Sequence, residues 1–88
     1  MQTRDLILVN PNGLHMRVAA KIVQVVQRYG AKVRLYKSEH RQANGESVLD
    51  LMTLGIEPGA SVRLEVEGAN EIQATRSLEE LFADGSGI

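Results

Sequence analysis

The order in which strand-like and helix-like segments follow one another is the feature that most constrains the fold of this chain. Residues 61–67 alternate between polar and apolar side chains, and residues 32–37 do so nearly as regularly, which predicts two strands with one buried face each. A β-rich run at 5–9 leads to a proline and predicts another strand. A hairpin turn at 38–41 leads into a short strand near 41–44.

The first segment of helical period lies between the first two strands. Apolar side chains in residues 16–28 recur at the spacing of one buried face, and Gly30 is expected to end this helix. Its predicted buried positions are Ala19, Ile22, Val23 and Val26, and its predicted solvated positions are Arg17, Lys21, Gln24 and Arg28.

Two further helices are marked by their capping residues. Ser47 with Asp50 three residues later is a variant of the capping box, and Gly55 is expected to stop this short helix. Asn70 with Gln73 gives the corresponding signal for a last helix. The predicted buried stripe of the last helix consists of Ala74, Leu78, Leu81 and Phe82.

The resulting element order, βαββαβα, predicts an α+β fold. Because the alternating strands bury one face each, the helices are expected to cover one face of a four-stranded antiparallel sheet. A ferredoxin-like split βαβ fold is the main alternative. The extra short helix that begins at Ser47 favours an open-faced β-sandwich with three helices.

Length and composition fit one small domain and exclude several classes of function. The 88 residues are expected to form a single domain, 1–88, with residues 84–88 as a flexible tail. A net charge of −1 and only three aromatic residues argue against nucleic-acid binding. No signal-like start and no long apolar run are present, so we expect no membrane insertion. The absence of cysteine fits a reducing compartment, and we expect a cytoplasmic protein with an aliphatic core.

A histidine stands where the first predicted helix begins. The turn signal Pro-Asn-Gly at 11–13 precedes His15, which places its imidazole beside free backbone N–H groups and the positive end of the helix dipole. Such a position stabilises a phosphate, and a neutral imidazole nitrogen is a nucleophile that can accept a phosphoryl group. The Arg17 guanidinium can bind the same phosphate. A solvated loop residue or a simple cap is the alternative for His15, and His40 in the hairpin tip is expected to be solvated.

Two motifs at the right separation resemble a known family. Residues 13–17 read Gly-Leu-His-Met-Arg and are followed by Ala-Ala at 19–20, and residues 44–55 form a glycine-and-serine-led second helix. Together they resemble HPr, the histidine phosphocarrier of the bacterial sugar phosphotransferase system. The resemblance covers residues 5–83 and implies an HPr-like open-faced β-sandwich.

The resemblance implies a carrier with a covalent phosphohistidine rather than a stand-alone enzyme. His15 would accept a phosphoryl group on Nδ1 from enzyme I, which phosphoenolpyruvate charges, and pass it to a sugar-specific acceptor protein. The backbone N–H groups of Met16 and Arg17 are expected to bind the phosphate, together with the Arg17 guanidinium. We expect no cofactor, and His15 and His40 lack the spacing of metal ligands.

The resemblance also implies a regulatory site and a docking surface. In many bacteria an ATP-dependent HPr kinase phosphorylates the serine at the position of Ser47, which is also a good helix cap on its own. Leu51 and Leu54 are expected to enter the core. The expected docking residues for partner proteins are Met16, Val48, Leu49 and Met52.

Several positions depart from the family's usual pattern. Val18 replaces a proline, Met16 replaces a small or hydroxyl residue, and Asp50 and Gln24 make the docking face less basic. These departures favour a specialised set of partners, and a carrier of a parallel, nitrogen-linked phosphotransferase chain is the closest alternative. A regulatory interaction module acting only through Ser47 is disfavoured because it needs no histidine nucleophile. As a carrier, the protein is expected to be a monomer.

Overall fold

A computed structural model describes residues 1–85 of the chain. The elements follow the predicted order βαββαβα. They are β1 (Gln2–Ile7), α1 (Met16–Tyr29), β2 (Lys32–Ser38), β3 (Arg41–Asn44), α2 (Val48–Met52), β4 (Ser61–Glu67) and α3 (Glu71–Ala83).

The four strands form one antiparallel sheet with the order β1-β4-β2-β3. The last strand of the sequence therefore lies between the first two, with Gln2 paired to Val66 and Ile7 to Ser61 at the two ends of the β1–β4 ladder. β2 and β3 form a hairpin, and a register shift between Tyr36 and Ser38 marks an irregularity near its tip. His40 lies at this tip and is exposed, as predicted.

Strand alternation separates a covered face from an open one. In β4, Val62, Leu64 and Val66 are buried, and in β2, Val33 and Leu35 are buried beside them. Burial of each such side chain contributes about 1.5–3 kcal/mol. The covered face packs against α1 and α3, whose fully buried side chains are those of Val18, Ala19, Ile22, Val26, Ala74, Thr75, Leu78 and Phe82.

The open face is polar and is held by cross-strand pairs. Arg63 Nε donates to Asp5 Oδ1 at 3.0 Å, and the Tyr36 hydroxyl donates to Glu65 Oε1 at 2.8 Å. The Arg63 guanidinium lowers the pKa of Asp5, and the hydrogen bond to Glu65 raises the pKa of Tyr36. Helices on one face and paired charges on the other confirm the predicted open-faced sandwich.

The first strand lies earlier than predicted, at Gln2–Ile7 rather than at 5–9. Its ladder with β4 is complete at Ile7, and the next two residues bond elsewhere: Leu8 N–H donates to Ala60 O and Val9 N–H to Phe82 O. Leu8 is fully buried although it has left the ladder. The β-rich composition at 5–9 therefore reflects the burial of Leu8 as well as the strand, and it does not give the ends of the strand.

The ends of the helices agree with the sequence in part. Gly30 ends α1 with φ +60° and donates its N–H to Val26 O, as predicted. The predicted box at Asn70 is wrong, because the Asn70 side chain accepts no capping bond and instead donates to Tyr29 O. At this end of α3, the side chain of Glu71 accepts a hydrogen bond from the Gly68 N–H. α2 ends at Met52, before the predicted stop at Gly55.

Two predicted core positions are only partly buried. Val23 and Leu81 lie at the edge of the core and pack against it, whereas Val18 and Thr75 are fully buried. The Thr75 hydroxyl is tolerated inside because it donates to Glu71 O at 2.6 Å. Of the predicted tail, Asp84 and Gly85 follow α3 without regular structure, and residues 86–88 lie outside the described residues. Within residues 1–85, no helix is both long and apolar enough to cross a membrane.

Candidate functional site

The turn before α1 is fixed to the rest of the fold by backbone bonds. Gly13 N–H donates to Asn10 O, and Leu14 N–H donates to Ile56 O, both at 3.0 Å. Gly13 has φ +69°, and a Cβ at this position would lie 2.7 Å from Ile56 O. Only glycine fits this close approach. With Leu14 buried directly after it, the turn holds the start of α1 in one position.

His15 is the N-cap residue of α1. Its backbone is extended, at φ −92° and ψ 178°, and its carbonyl oxygen accepts the Ala19 N–H at 3.0 Å. Its side chain accepts the Arg17 N–H on Nδ1 at 3.2 Å. Because an accepting nitrogen carries a lone pair, the neutral ring has its proton on Nε2. The Nε2 atom is buried and has no hydrogen-bond partner among the described residues.

The start of α1 is an electropositive surface. No acidic residue lies in its first turn. The backbone N–H groups of Met16 and Val18 form no hydrogen bond with any of residues 1–85, while the Arg17 N–H points at the imidazole. The Arg17 side chain is exposed and forms no ion pair within this part of the chain. Within residues 1–85, the Arg17 backbone therefore forms a hydrogen bond with His15, and its guanidinium forms none.

An exposed apolar surface lies on the two helices next to this site. Met16 on α1 is 67% exposed, Leu49 on α2 is 81% exposed and Met52 is 38% exposed, and α1 packs against α2. Val48, the other residue expected here, is half-buried and packs against the core. Leu51 and Leu54 are buried in the core, as predicted. We call Met16, Leu49 and Met52 the apolar patch.

Ser47 caps α2, as predicted. Its Oγ accepts the Asp50 N–H at 3.1 Å. The Asp50 carboxylate does not return to the Ser47 N–H, as it would in a full capping box, but accepts the Asn44 N–H on Oδ2 at 2.7 Å. Ser47 N–H donates instead to Asn44 O. The start of α2 is therefore bonded to the end of β3.

The sequence patterns missed the residues that hold the other end of α2. Arg41 Nη2 donates to Thr53 O at 2.8 Å, and Lys37 Nζ donates to Gly55 O at 3.3 Å. The last turn of α2 contains no basic residue that could bind its carbonyl groups. In the sequence, this lack is the signal that basic side chains from another element bind them.

The site lies outside three surface concavities of the described residues. Concavities of about 590 and 460 Å³ lie over the open sheet face, and one of about 330 Å³ lies between α1 and α3. His15 lines none of these three. Among residues 1–85, no three His, Cys, Asp or Glu side chains come close enough together to hold a metal ion. The arrangement suits exchange of a small group with another protein.

Comparisons with known proteins point to one family. The family model described as "PTS HPr component phosphorylation site" matches residues 2–84. The chain is 35% identical over 82 residues to the phosphocarrier protein HPr of Pseudomonas aeruginosa, which covers 93% of this chain and 91% of that protein. The structure of HPr-C-His from Thermoanaerobacter tengcongensis matches with a TM-score of 0.84 and 29% identity, covering 93% of this chain and 91% of that one. An HPr dimer from the same organism matches with a TM-score of 0.67 and 30% identity over 92% of each chain.

Proposed function

Because the chain belongs to the HPr family and is a phosphoryl carrier of the phosphotransferase system, we propose that it carries the phosphoryl group on His15. The observation that supports this most strongly is the hydrogen bond from Arg17 N–H to His15 Nδ1 at 3.2 Å. It directs a nitrogen lone pair towards the N-terminal end of a 14-residue helix, where a phosphate is stabilised.

Transfer needs only the imidazole as nucleophile. The Nδ1 lone pair attacks phosphorus, an N–P bond forms, and the bond between phosphorus and the donor breaks, with its electron pair leaving on the donor. The proton on Nε2 stays in place, so no base is needed to prepare the ring. The Nδ1 lone pair must first give up the Arg17 N–H, a hydrogen bond worth about 0.5–1.5 kcal/mol.

The same N–H groups would then bind the transferred phosphate. The Arg17 N–H becomes free once phosphorus takes the Nδ1 lone pair, and the N–H groups of Met16 and Val18 already form no hydrogen bond within residues 1–85. The helix dipole stabilises an anion here by about 0.3–1 kcal/mol, and up to about 2 kcal/mol where the site is partly buried. Such modest stabilisation suits a carrier that must release its phosphoryl group.

Enzyme I and a sugar-specific acceptor protein are the proposed partners, docking on the apolar patch and the adjoining Val48. The patch suits this role because its side chains are exposed, Met16 follows His15 directly, and α2, which carries Leu49 and Met52, packs against α1. Because Asp50 and Gln24 make the docking face less basic, a carrier of a nitrogen-linked phosphotransferase chain is the alternative. The expected monomer and cytoplasmic location stay predictions, and one similar HPr structure is described as a dimer.

The test is phosphorylation by phosphoenolpyruvate and purified enzyme I from the same organism. We expect one acid-labile phosphate per wild-type molecule and none on His15→Ala. His40→Ala is the matched control, since His40 is exposed at the hairpin tip and should leave transfer unchanged. Phosphate on His40, or no transfer to the wild type, would contradict the proposal.

We also propose that Ser47 is a regulatory phosphorylation site for an HPr kinase, in addition to its role as a cap. A phosphate here adds about −1.5 to −2 charges next to Leu49 and Met52. Bringing that charge against an acidic partner surface in a partly desolvated interface costs several kcal/mol. Glu46 and Asp50 already carry like charge nearby and oppose the modification.

Ser47→Asp tests this regulation with one added charge. Its His15 phosphorylation rate should fall at least about tenfold, which corresponds to about 1.4 kcal/mol. Ser47→Ala should lose about 1 kcal/mol of stability through the missing cap and keep the wild-type rate. Equal rates in all three proteins would leave Ser47 as a cap alone.

A further inference from the structure

Helix α2 is too short to hold its own geometry. It spans five residues, Val48–Met52, whereas isolated helices below about 12–15 residues are marginal in water. The last carbonyl groups of any helix lack partners within it, and α2 has no basic residue in its last turn to bind them. Its order must therefore come from neighbouring elements.

The β2–β3 hairpin holds α2 at both ends. At the start, the Asn44 N–H donates to Asp50 Oδ2 at 2.7 Å, and the Asn44 carbonyl accepts the Ser47 N–H. At the end, Arg41 donates to Thr53 O at 2.8 Å. β3 thus begins at the residue that binds one end of α2 and ends at the residue that binds the other.

Of the two basic side chains at the end of α2, Arg41 forms the shorter hydrogen bond. Its contact to Thr53 O is 2.8 Å, against 3.3 Å from Lys37 to Gly55 O, which lies beyond the helix. The Thr53 N–H itself bonds back to Leu49 O and Asp50 O. A bond on Thr53 O therefore acts on the turn that carries the exposed side chains of α2.

We propose that Arg41 is a positioning residue for the docking surface: by binding Thr53 O it holds α2 in the orientation that presents Leu49 and Met52 to partner proteins. This inference rests on the proposed function, in which those two side chains belong to the docking surface. Arg41 lies on the hairpin, whereas the phosphoryl acceptor His15 lies on α1, so Arg41 should affect binding of enzyme I and leave the chemical step unchanged.

The test compares Arg41→Gln, Arg41→Lys and the control Arg34→Gln. Arg34 lies on the same hairpin, and its Nη1 donates to Gln42 Oε1 on the open face rather than to a carbonyl group at the end of α2. In Arg41→Gln we expect the amides of Thr53, Leu54 and Gly55 to exchange with solvent about fivefold faster, as loss of one ordinary hydrogen bond predicts. The KM for phosphorylation by enzyme I should rise by a similar factor, with kcat unchanged.

Arg41→Lys should recover most of the wild-type exchange and KM, because it keeps the cation and a donor on a long side chain. Arg34→Gln should match the wild type in both. Unchanged exchange in Arg41→Gln would show that the bond does not order α2, and faster exchange with unchanged KM would show a structural role only. A fall in kcat with unchanged KM would also overturn the proposal.

Failure of the proposed function would give a different result from failure of this inference. A wild-type protein that takes no phosphate refutes that function and the docking part of this inference with it. The exchange rates, which need no enzyme I, would still decide whether Arg41 orders the last turn of α2.

Discussion

At the scale of single residues, one hydrogen bond distinguishes the two nitrogens of His15. Nδ1 accepts the Arg17 N–H, whereas Nε2 is buried without a partner among residues 1–85. The sequence could predict a histidine at a helix start, because a turn signal precedes it. The family resemblance implies Nδ1 as the acceptor, but the residue pattern alone could not predict which nitrogen faces the helix, since that depends on the imidazole rotamer and on the Gly13 turn packed against Ile56.

The Arg17 side chain is exposed, and within residues 1–85 its guanidinium forms no hydrogen bond with His15. If it binds the phosphate during transfer, Arg17→Ala removes a charge-assisted bond of about 1.5–3 kcal/mol and slows transfer by about 10–150-fold. Stopped-flow or quenched transfer from enzyme I measures this rate.

Arg28→Ala is the matched control for that variant. Arg28 lies on the same helix but at its far end, over the Tyr29 ring at 5.4 Å. It should transfer phosphate at the wild-type rate. A wild-type rate for Arg17→Ala as well would show that the backbone alone binds the phosphate.

At the scale of elements, the first turn of α1 explains how the chain tolerates valine at a position where the family has proline. The Val18 N–H forms no hydrogen bond within the described residues, so its presence or absence changes no bond there. The Val18 side chain, however, is 1% exposed and belongs to the core. The helical periodicity of the sequence favours Val23, whereas in the structure Val18 is buried and Val23 only partly so.

Because no hydrogen bond within residues 1–85 is lost and proline also places an apolar ring at this buried position, Val18→Pro should fold and change the free energy of unfolding by at most about 1 kcal/mol. Lys21→Pro is the control: its N–H lies inside the helix, and the substitution should cost about 3 kcal/mol or more. Urea unfolding measures both. A loss for Val18→Pro as large as that for Lys21→Pro would mean that the first turn needs the Val18 N–H.

At the scale of the whole molecule, no local sequence pattern predicts the contact between the start of β1 and the start of α3. Glu71 binds the Met1 amino group at 3.0 Å, the Gln2 side chain at 3.2 Å and the Gly68 N–H at 3.3 Å. Fold class and element order follow from the alternation of residues 61–67 and from the helical periodicities. The β1-β4-β2-β3 strand order and the Glu71 contacts join distant segments, and no local pattern records them.

These contacts make stability depend on pH in the acid range. The hydrogen bond from the Met1 amino group, followed by that from Gln2, lowers the pKa of Glu71 below its ordinary value. Because the folded pKa lies below the unfolded one, Glu71 stabilises the fold above its ordinary pKa, and this contribution is lost as pH falls through the lowered pKa. Glu71→Gln should therefore show a smaller fall in Tm than the wild type between about pH 7 and about pH 3.

Glu80→Gln is the control for that comparison, since Glu80 is exposed on the same helix and has no ion-pair partner in the described part of the chain. It should follow the wild-type dependence of Tm on pH. A Glu71→Gln variant that also follows the wild type would show that the Glu71 contacts do not persist in solution.

The most direct test of the account is to locate the phosphorus on His15 by long-range ¹H–¹⁵N and ³¹P NMR after reaction with enzyme I and phosphoenolpyruvate. The geometry, with Nδ1 facing the start of α1 and Nε2 buried, predicts phosphorus bonded to Nδ1 and a proton retained on Nε2. It also predicts that the Met16, Arg17 and Val18 amide resonances shift, because their N–H groups bind the phosphate. Phosphorus on Nε2, or on any other residue, would contradict the account.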